Sequence, residues 1–177
     1  MMIPPDIREQ VRLRADFACE FCGVRENDAA GQLTIDHFQP KSAGGEDNLE
    51  NLLYCCMRCN LYKSDYWPAA PDSPVLWNPR LELAAEHFIE LDDGILHPLS
   101  TTGVFTLQRL RLNRPPLIAY RLNKSRQAEF TRLLEQYQDA LRLLDLMQKK
   151  LADLAGEQQK LLKEQRDLLK RLLAKPK

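Results

Sequence analysis

The spacing of hydrophobic positions changes several times along the chain, and each change predicts an element. From Pro4 to Ala15 the residues Ile7, Val11 and Ala15 recur at helical spacing behind two prolines, which predicts a short helix. Leu33 to Asp36 and Leu52 to Cys55 are short apolar runs that predict strands. The stretch Lys41-Ser42-Ala43-Gly44-Gly45-Glu46-Asp47-Asn48 between them reads as a turn-rich, hairpin-like connection. A short helix over Asn60 to Asp65 follows. From Trp67 to Arg80, Pro68, Pro71, Pro74 and Pro79 interrupt any regular structure, since each fixes its own φ and biases its predecessor away from the helical region. His87 to Leu91, the turn Asp92-Asp93-Gly94 and Ile95 to His97 predict a second hairpin. Thr102 to Leu112 returns to helical spacing through Val104, Leu107 and Leu110.

Beyond Asn113, a plausible cap before Pro115-Pro116, only Gly156 interrupts a helical pattern that runs to Pro176. With Phe130 at heptad position a, Tyr137, Leu144 and Leu151 follow at a, with Gln158 and Gln165 after them. Position d carries Leu133, Ala140, Met147, Leu154, Leu161 and Leu168. Position e adds Leu134, Leu141, Leu162 and Leu169, so the stripe is wider than a minimal two-stranded coil requires. A globular part of about 120 residues cannot cover so long a stripe. Helix association through residues 124–177 is therefore expected, as a homodimer, with a partner protein, or as a hairpin folded back at Gly156.

Composition narrows the class. The 177 residues are 44% hydrophobic and 28% charged, too apolar for a disordered chain and free of any run able to span a bilayer. Five cysteines are too few for a disulfide scaffold, and MMIPPDIREQ places prolines and charges where a secretory signal has its apolar stretch, so a cytoplasmic, reducing location is expected. The net charge of zero hides a gradient, from −4 over residues 1–66 to +5 over residues 124–177. Gln108 to Gln127 holds Arg109, Arg111, Arg114, Arg121, Lys124 and Arg126 with no acid, a candidate phosphate-binding surface or an ordinary solvated helix face. Lys41, Arg58 and Lys63 lie closer to Asp36, His37 and Asn60 and are the stronger candidates for phosphate contact.

Cys19-x-x-Cys22 and Cys56-x-x-Cys59 are two knuckles separated by 33 residues. Each can supply one edge of a tetrahedron, and together they suit a closed structural zinc site; iron and unligated buried thiols are the competing readings. Cys55 has the wrong spacing for a knuckle and is expected to be an ordinary buried thiol. Between the knuckles stand Asp36-His37, then Asn51, and directly after the last cysteine Asn60 with Lys63.

The run Thr-Ile-Asp-His-Phe-x-Pro-Lys-Ser-x-Gly-Gly-Glu-Asp-Asn-Leu-x-Asn-Leu, bracketed by the knuckles and followed by Asn-x2-Lys, closely resembles the HNH endonuclease family over Cys19 to Asp65. The later residues Asn78-Pro79-Arg80, His87-Phe88, Asp93-Gly94 and Thr102 to Arg114 look like the extension of bacterial HNH proteins of similar size. The resemblance implies an α+β fold: a ββα-metal core (19–65) with a four-cysteine zinc site, a small hairpin and helix extension (78–123) completing a nuclease domain (1–123), and a long C-terminal helix, coiled coil or helical hairpin, in an assembly segment (124–177).

It also implies roles. His37 matches the general base that activates water, a task suited to a side chain that exchanges protons near neutral pH. Asp36 and Asn60 match the residues that hold one divalent cation, magnesium or manganese, through hard oxygen donors. Asn51 matches the amide that fixes the backbone around His37. Lys41, Arg58, Lys63, Arg109, Arg111 and Arg114 are the candidate DNA contacts. His87 and His97 lie outside the motif and receive no role. Asn60 stands where many members have His, an HNN variant. The implied function is therefore DNA phosphodiester hydrolysis. The alternatives are a catalytically weak, zinc-stabilised DNA-binding module, or a nuclease effector subunit restrained until a partner complex, as in phage defence, delivers DNA.

Overall fold

The computed structural model describes residues 3–173. Its internal contacts divide the chain into two compact units, Met1–Lys124 and Ser125–Lys177. In the first unit α1 (Pro5–Arg14) starts with a proline at its first turn, where the missing N–H would be unpaired anyway, and carries Asp6 at its positive end and Arg12 and Arg14 at its negative end. It buries Val11. Arg14 donates to the carbonyls of Leu49 and Leu52 at 2.5 Å each, tying the helix to the hairpin that follows.

That hairpin pairs β1 (Thr34–His37) antiparallel with β2 (Leu52–Cys55), setting Thr34 opposite Cys55, Asp36 opposite Leu53 and His37 opposite Leu52. Every residue of β2 is buried. The connection holds one 3-10 turn, Lys41–Ala43, closed by Gly44 in the left-handed region (φ 86°). Gly45 is required by a close approach: a Cβ there would overlap the Gln39 carbonyl oxygen at 1.8 Å. α2 (Met57–Lys63) begins three residues before the sequence-based expectation, because the second cysteine knuckle is also the helix start. Cys56 is the N-cap, its sulfur accepting from the Cys59 N–H at 3.4 Å.

Residues 67–80 form the irregular connector that the prolines predict. His87 departs from expectation. It closes a helical turn, α3 (Ala84–His87), and only then does β3 (Phe88–Glu90) pair with β4 (Leu96–Pro98). Its ring is drawn inward to lie 2.6 Å from Ser100 Oγ, the hydroxyl that caps α4 (Thr101–Arg109) by accepting from Gly103 N–H at 3.0 Å. Trp77 packs between Phe21 and Phe88, with centroids 6.3 and 5.5 Å away. Leu110, Leu112 and Leu117 complete this core.

α5 (Pro115–Leu173) is one helix. It passes through Gly156 unbroken, so the fold-back of the chain at that glycine does not form. The expected cap Asn113 instead pins β4, accepting from Leu96 N–H at 2.9 Å and donating to its carbonyl at 2.8 Å. Among the described residues no helix is long and apolar enough to cross a membrane.

Candidate metal centre and active site

The two knuckles bring the sulfurs of Cys19, Cys22, Cys56 and Cys59 within 4.8 Å of one another. Cys22 and Cys56 are 3.7 Å apart, close to the edge of about 3.8 Å that a tetrahedron with Zn–S bonds near 2.3 Å requires. The first knuckle turns on Gly23 (φ 74°), whose N–H bonds the Cys19 carbonyl at 2.8 Å. Crowding makes the four thiols share few charges. Hydrogen bonds from Cys22, and then from Cys55, Cys56 and Cys59, hold Cys19 well below a normal thiol. Bonding to Cys19 pushes Cys22 and Cys59 up. Four thiols so arranged ionise together only around a cation, and the donor set fits zinc. Cys55 stays out of this set as a buried thiol, its sulfur 3.5 Å from the Cys56 carbonyl oxygen.

Thr34 and Asp36 share one face of β1, since strand side chains alternate, and α2 packs on that face. Asn60 Nδ2 lies 3.3 Å from Thr34 Oγ1, and Lys63 Nζ lies 3.2 Å from Asp36 Oδ2. Burial raises the Asp36 carboxyl against the lowering pull of Lys63. Although at ion-pair range, Asp36 Oδ2 is buried and off any hydrogen-bond line. A buried carboxylate oxygen with no aligned hydrogen-bond donor, and a carboxamide one element away, fit a hard divalent ion in donor type, with Lys63 the charge that such an ion would displace or share.

His37 ends β1 on the opposite face, and its Nε2 lies 2.6 Å from Asp47 Oδ1. The second Asp47 oxygen takes Lys41 Nζ, also at 2.6 Å. Lys41 first, and then His37, hold the Asp47 carboxyl below its usual range. An ionised carboxylate only accepts, so Nε2 carries the proton, and Nδ1 of the neutral ring is left with its lone pair. Nδ1 has no protein hydrogen-bond partner among the described residues. Asn51 holds the loop that delivers Asp47. Its side chain accepts from Gln39 N–H at 2.7 Å and donates to the carbonyls of Gln39 and Glu46 at 3.1 and 3.0 Å. Sequence reasoning misses Asp47, which reads only as part of a turn.

The basic residues separate sharply. Lys63 is fully buried, donating to the His37 carbonyl at 2.6 Å and to that of Ser64 at 3.3 Å, so the expected DNA contact at this position is corrected to a structural role. Arg114 is corrected likewise. Its Nη2 points at Cys59 and Cys56 sulfurs (3.8 and 4.0 Å), where a guanidinium offsets thiolate charge. Arg109 is half-buried, donating to the Lys63 carbonyl at 3.1 Å. Arg121, in the basic run, is buried on Gly94, Leu112 and Asn113. Arg58 and Arg111 remain exposed. Arg111 lies over the Tyr62 ring, 4.9 Å from its centroid, and Arg58 is one turn before Tyr62 on α2. Lys41 is exposed but engaged by Asp47.

Burial of Lys63 has a measurable consequence. Lys63→Met would leave Asp36 charged and uncompensated, and it is expected to cost about 3 kcal/mol, as breaking one side of a buried pair does. Denaturant unfolding of zinc-loaded protein followed by tryptophan fluorescence reads this. An unchanged midpoint would show that the ammonium contributes no net stability.

The arrangement is therefore a β-hairpin and helix closed by a four-thiolate metal centre, with a histidine at the end of the first strand. Residues 19–65 match the family model described as HNH endonuclease. No curated protein and no solved structure matches the chain. The matched segment thus points to a nuclease family, with nucleic acid as the binding partner that this family implies.

Proposed function

We propose that this protein hydrolyses DNA phosphodiester bonds, with His37 as general base and one divalent cation, magnesium or manganese, at Asp36 and Asn60. The observation that carries the reading is the His37–Asp47 pair, which leaves Nδ1 free at the strand end. Asp36 and His37 lie on opposite faces of β1, so the scissile phosphate lies across the end of that strand. Nδ1 takes the proton of the attacking water, oxygen joins phosphorus, and the bond to the 3′ oxygen breaks. The Nε2–H stays on Asp47, which stabilises the imidazolium as it forms. A bound divalent ion would supply charge neutralisation at a non-bridging oxygen and at the leaving oxygen. Arg58 and Arg111, with Lys41 beside the base, contact phosphates. Five cysteines with no disulfide among them suit a reducing cytoplasm. Residues 1–123 act as the nuclease domain and 124–177 as its assembly segment.

One observation favours a second reading, a DNA-binding module without strong catalysis: the Lys63 ammonium already stands 3.2 Å from Asp36, where it competes with a divalent ion. Plasmid incubation separates the two. Cleavage that needs magnesium or manganese and disappears in His37→Ala supports the nuclease. Intact plasmid under all metals, with unchanged DNA retention, supports the module.

A further inference from the structure

Every side chain from Ser125 to Leu173 is exposed. Leu134, Leu141, Leu144, Leu161, Leu162 and Leu169 are 44% to 60% accessible. A stripe of this kind needs a cover, and the residues flanking it say which. On one edge, the e positions are uncharged throughout: leucine at 134, 141, 162 and 169, Gln148 and Ala155. On the other, the g positions turn polar, with Lys150, Glu157, Glu164 and Arg171.

In a parallel pair each g residue meets the e residue five positions on in its partner. Glu157 would then lie against leucine 162, Glu164 against leucine 169 and Lys150 against Ala155, three charges beside apolar groups with no counter-charge. Reversing one helix exchanges its flanks, so e meets e and g meets g. In the register that sets Leu151 against Leu154 of a second copy, Leu144 meets Leu161, Leu141 meets Leu162 and Leu134 meets Leu169. The two polar a residues, Gln158 and Gln165, fall opposite Met147 and Ala140. Lys150 meets Glu157, and two-fold symmetry makes that contact twice; Glu164 falls beside Leu143 and is the one acidic flank left without a counter-charge, against three uncompensated charges in the parallel pair. Shifting by one heptad either way would set Lys150 against Lys150 or Glu157 against Glu157. The favoured register also uses nearly all of the helix described beyond Ser125. The same pairing within one chain would require a break near Ala152, where α5 is continuous.

We propose that α5 pairs with α5 of a second copy of this chain, antiparallel, with Lys150 on Glu157 at both ends of the central layers. This is independent of whether the first unit cuts DNA. Charge reversal on the full chain tests it, reading the dimer dissociation constant by light scattering and sedimentation over a dilution series at low salt. Lys150→Glu and Glu157→Lys are each expected to weaken the dimer about tenfold, since each turns two attractive contacts repulsive. The double variant should return to within about threefold of the original. Within its own helix Glu157 has Asp153 four residues before it and Lys160 three residues after it, so Glu157→Lys exchanges one local attraction for another and leaves pairing inside the helix nearly unchanged. Weakening by this variant therefore reports the contact between copies, and circular dichroism checks that the helix persists. A monomer at micromolar concentration, or two single effects that add in the double variant instead of cancelling, would overturn the proposal.

Discussion

Stripping the metal from Cys19, Cys22, Cys56 and Cys59, or replacing Cys59 by serine, is expected to abolish cooperative folding of the first unit. The secondary structure there is short, with four-residue strands and a seven-residue helix around the hairpin. Two-stranded hairpins are marginal in isolation. A domain of this size holds a net stability of roughly 5–15 kcal/mol, and a structural four-ligand zinc contributes about 10–16 kcal/mol in small folds. Removing a contribution as large as the total leaves nothing to hold the core. Both tryptophans, Trp67 and Trp77, are in this unit and none is in the tail, so fluorescence isolates its unfolding from the helical signal of α5. Metal analysis should return about one zinc per chain, and a strong chelator should shift the emission of buried Trp77 to the red. An unchanged thermal transition after chelation, or less than half a zinc per chain in native protein, would refute a folding role for the site.

How much of this is legible in the sequence follows from how local each determinant is. The β1–β2 hairpin, the cysteine set and the helical pattern beyond Pro115 are legible because each depends on spacing within a short stretch, whereas the passage of α5 through Gly156 without a break is not. The start of α2 is expected too late because Cys56 reads only as a ligand, whereas its sulfur also caps the helix. His87 reads as part of a strand because its β-flanking sequence says so, whereas its ring contacts Ser100, thirteen positions on, from the end of a helical turn. The largest gap concerns cations. Lys63, Arg114 and Arg121 look in sequence like the exposed Arg58 and Arg111. Nothing local tells that the first reaches the carbonyl of His37, the second the thiolates, and the third Gly94. Burying a charge is costly unless partners wait for it, and those partners come from segments distant in the chain. Asp47 is hidden for the same reason: it lies ten positions along the chain from the ring it binds, and the path of the loop between them is set by Asn51 and Gly45.

That loop residue carries the sharpest kinetic expectation. His37→Ala removes the group that accepts the water proton and should lower the cleavage rate by roughly 10²–10⁴-fold, the usual worth of a positioned general base. Asp47→Ala leaves the imidazole in place but frees its ring to rotate and to carry its proton on either nitrogen, and a fall of about 10–100-fold in kcat is expected, in line with other residues that orient a working histidine. KM should change little, because Asp47 reaches the reaction only through His37. Adding Asp47→Ala to His37→Ala should therefore cost nothing further, as groups acting as one unit are not additive. The ring nitrogens give a readout apart from turnover: ¹⁵N spectra of wild-type protein should show His37 as the Nε2–H tautomer when neutral, and Asp47→Ala should show the mixture of an unanchored ring. If instead the two rate losses multiply, or Asp47→Ala raises KM with kcat unchanged, Asp47 acts on DNA binding, together with its neighbour Lys41, and not through the base.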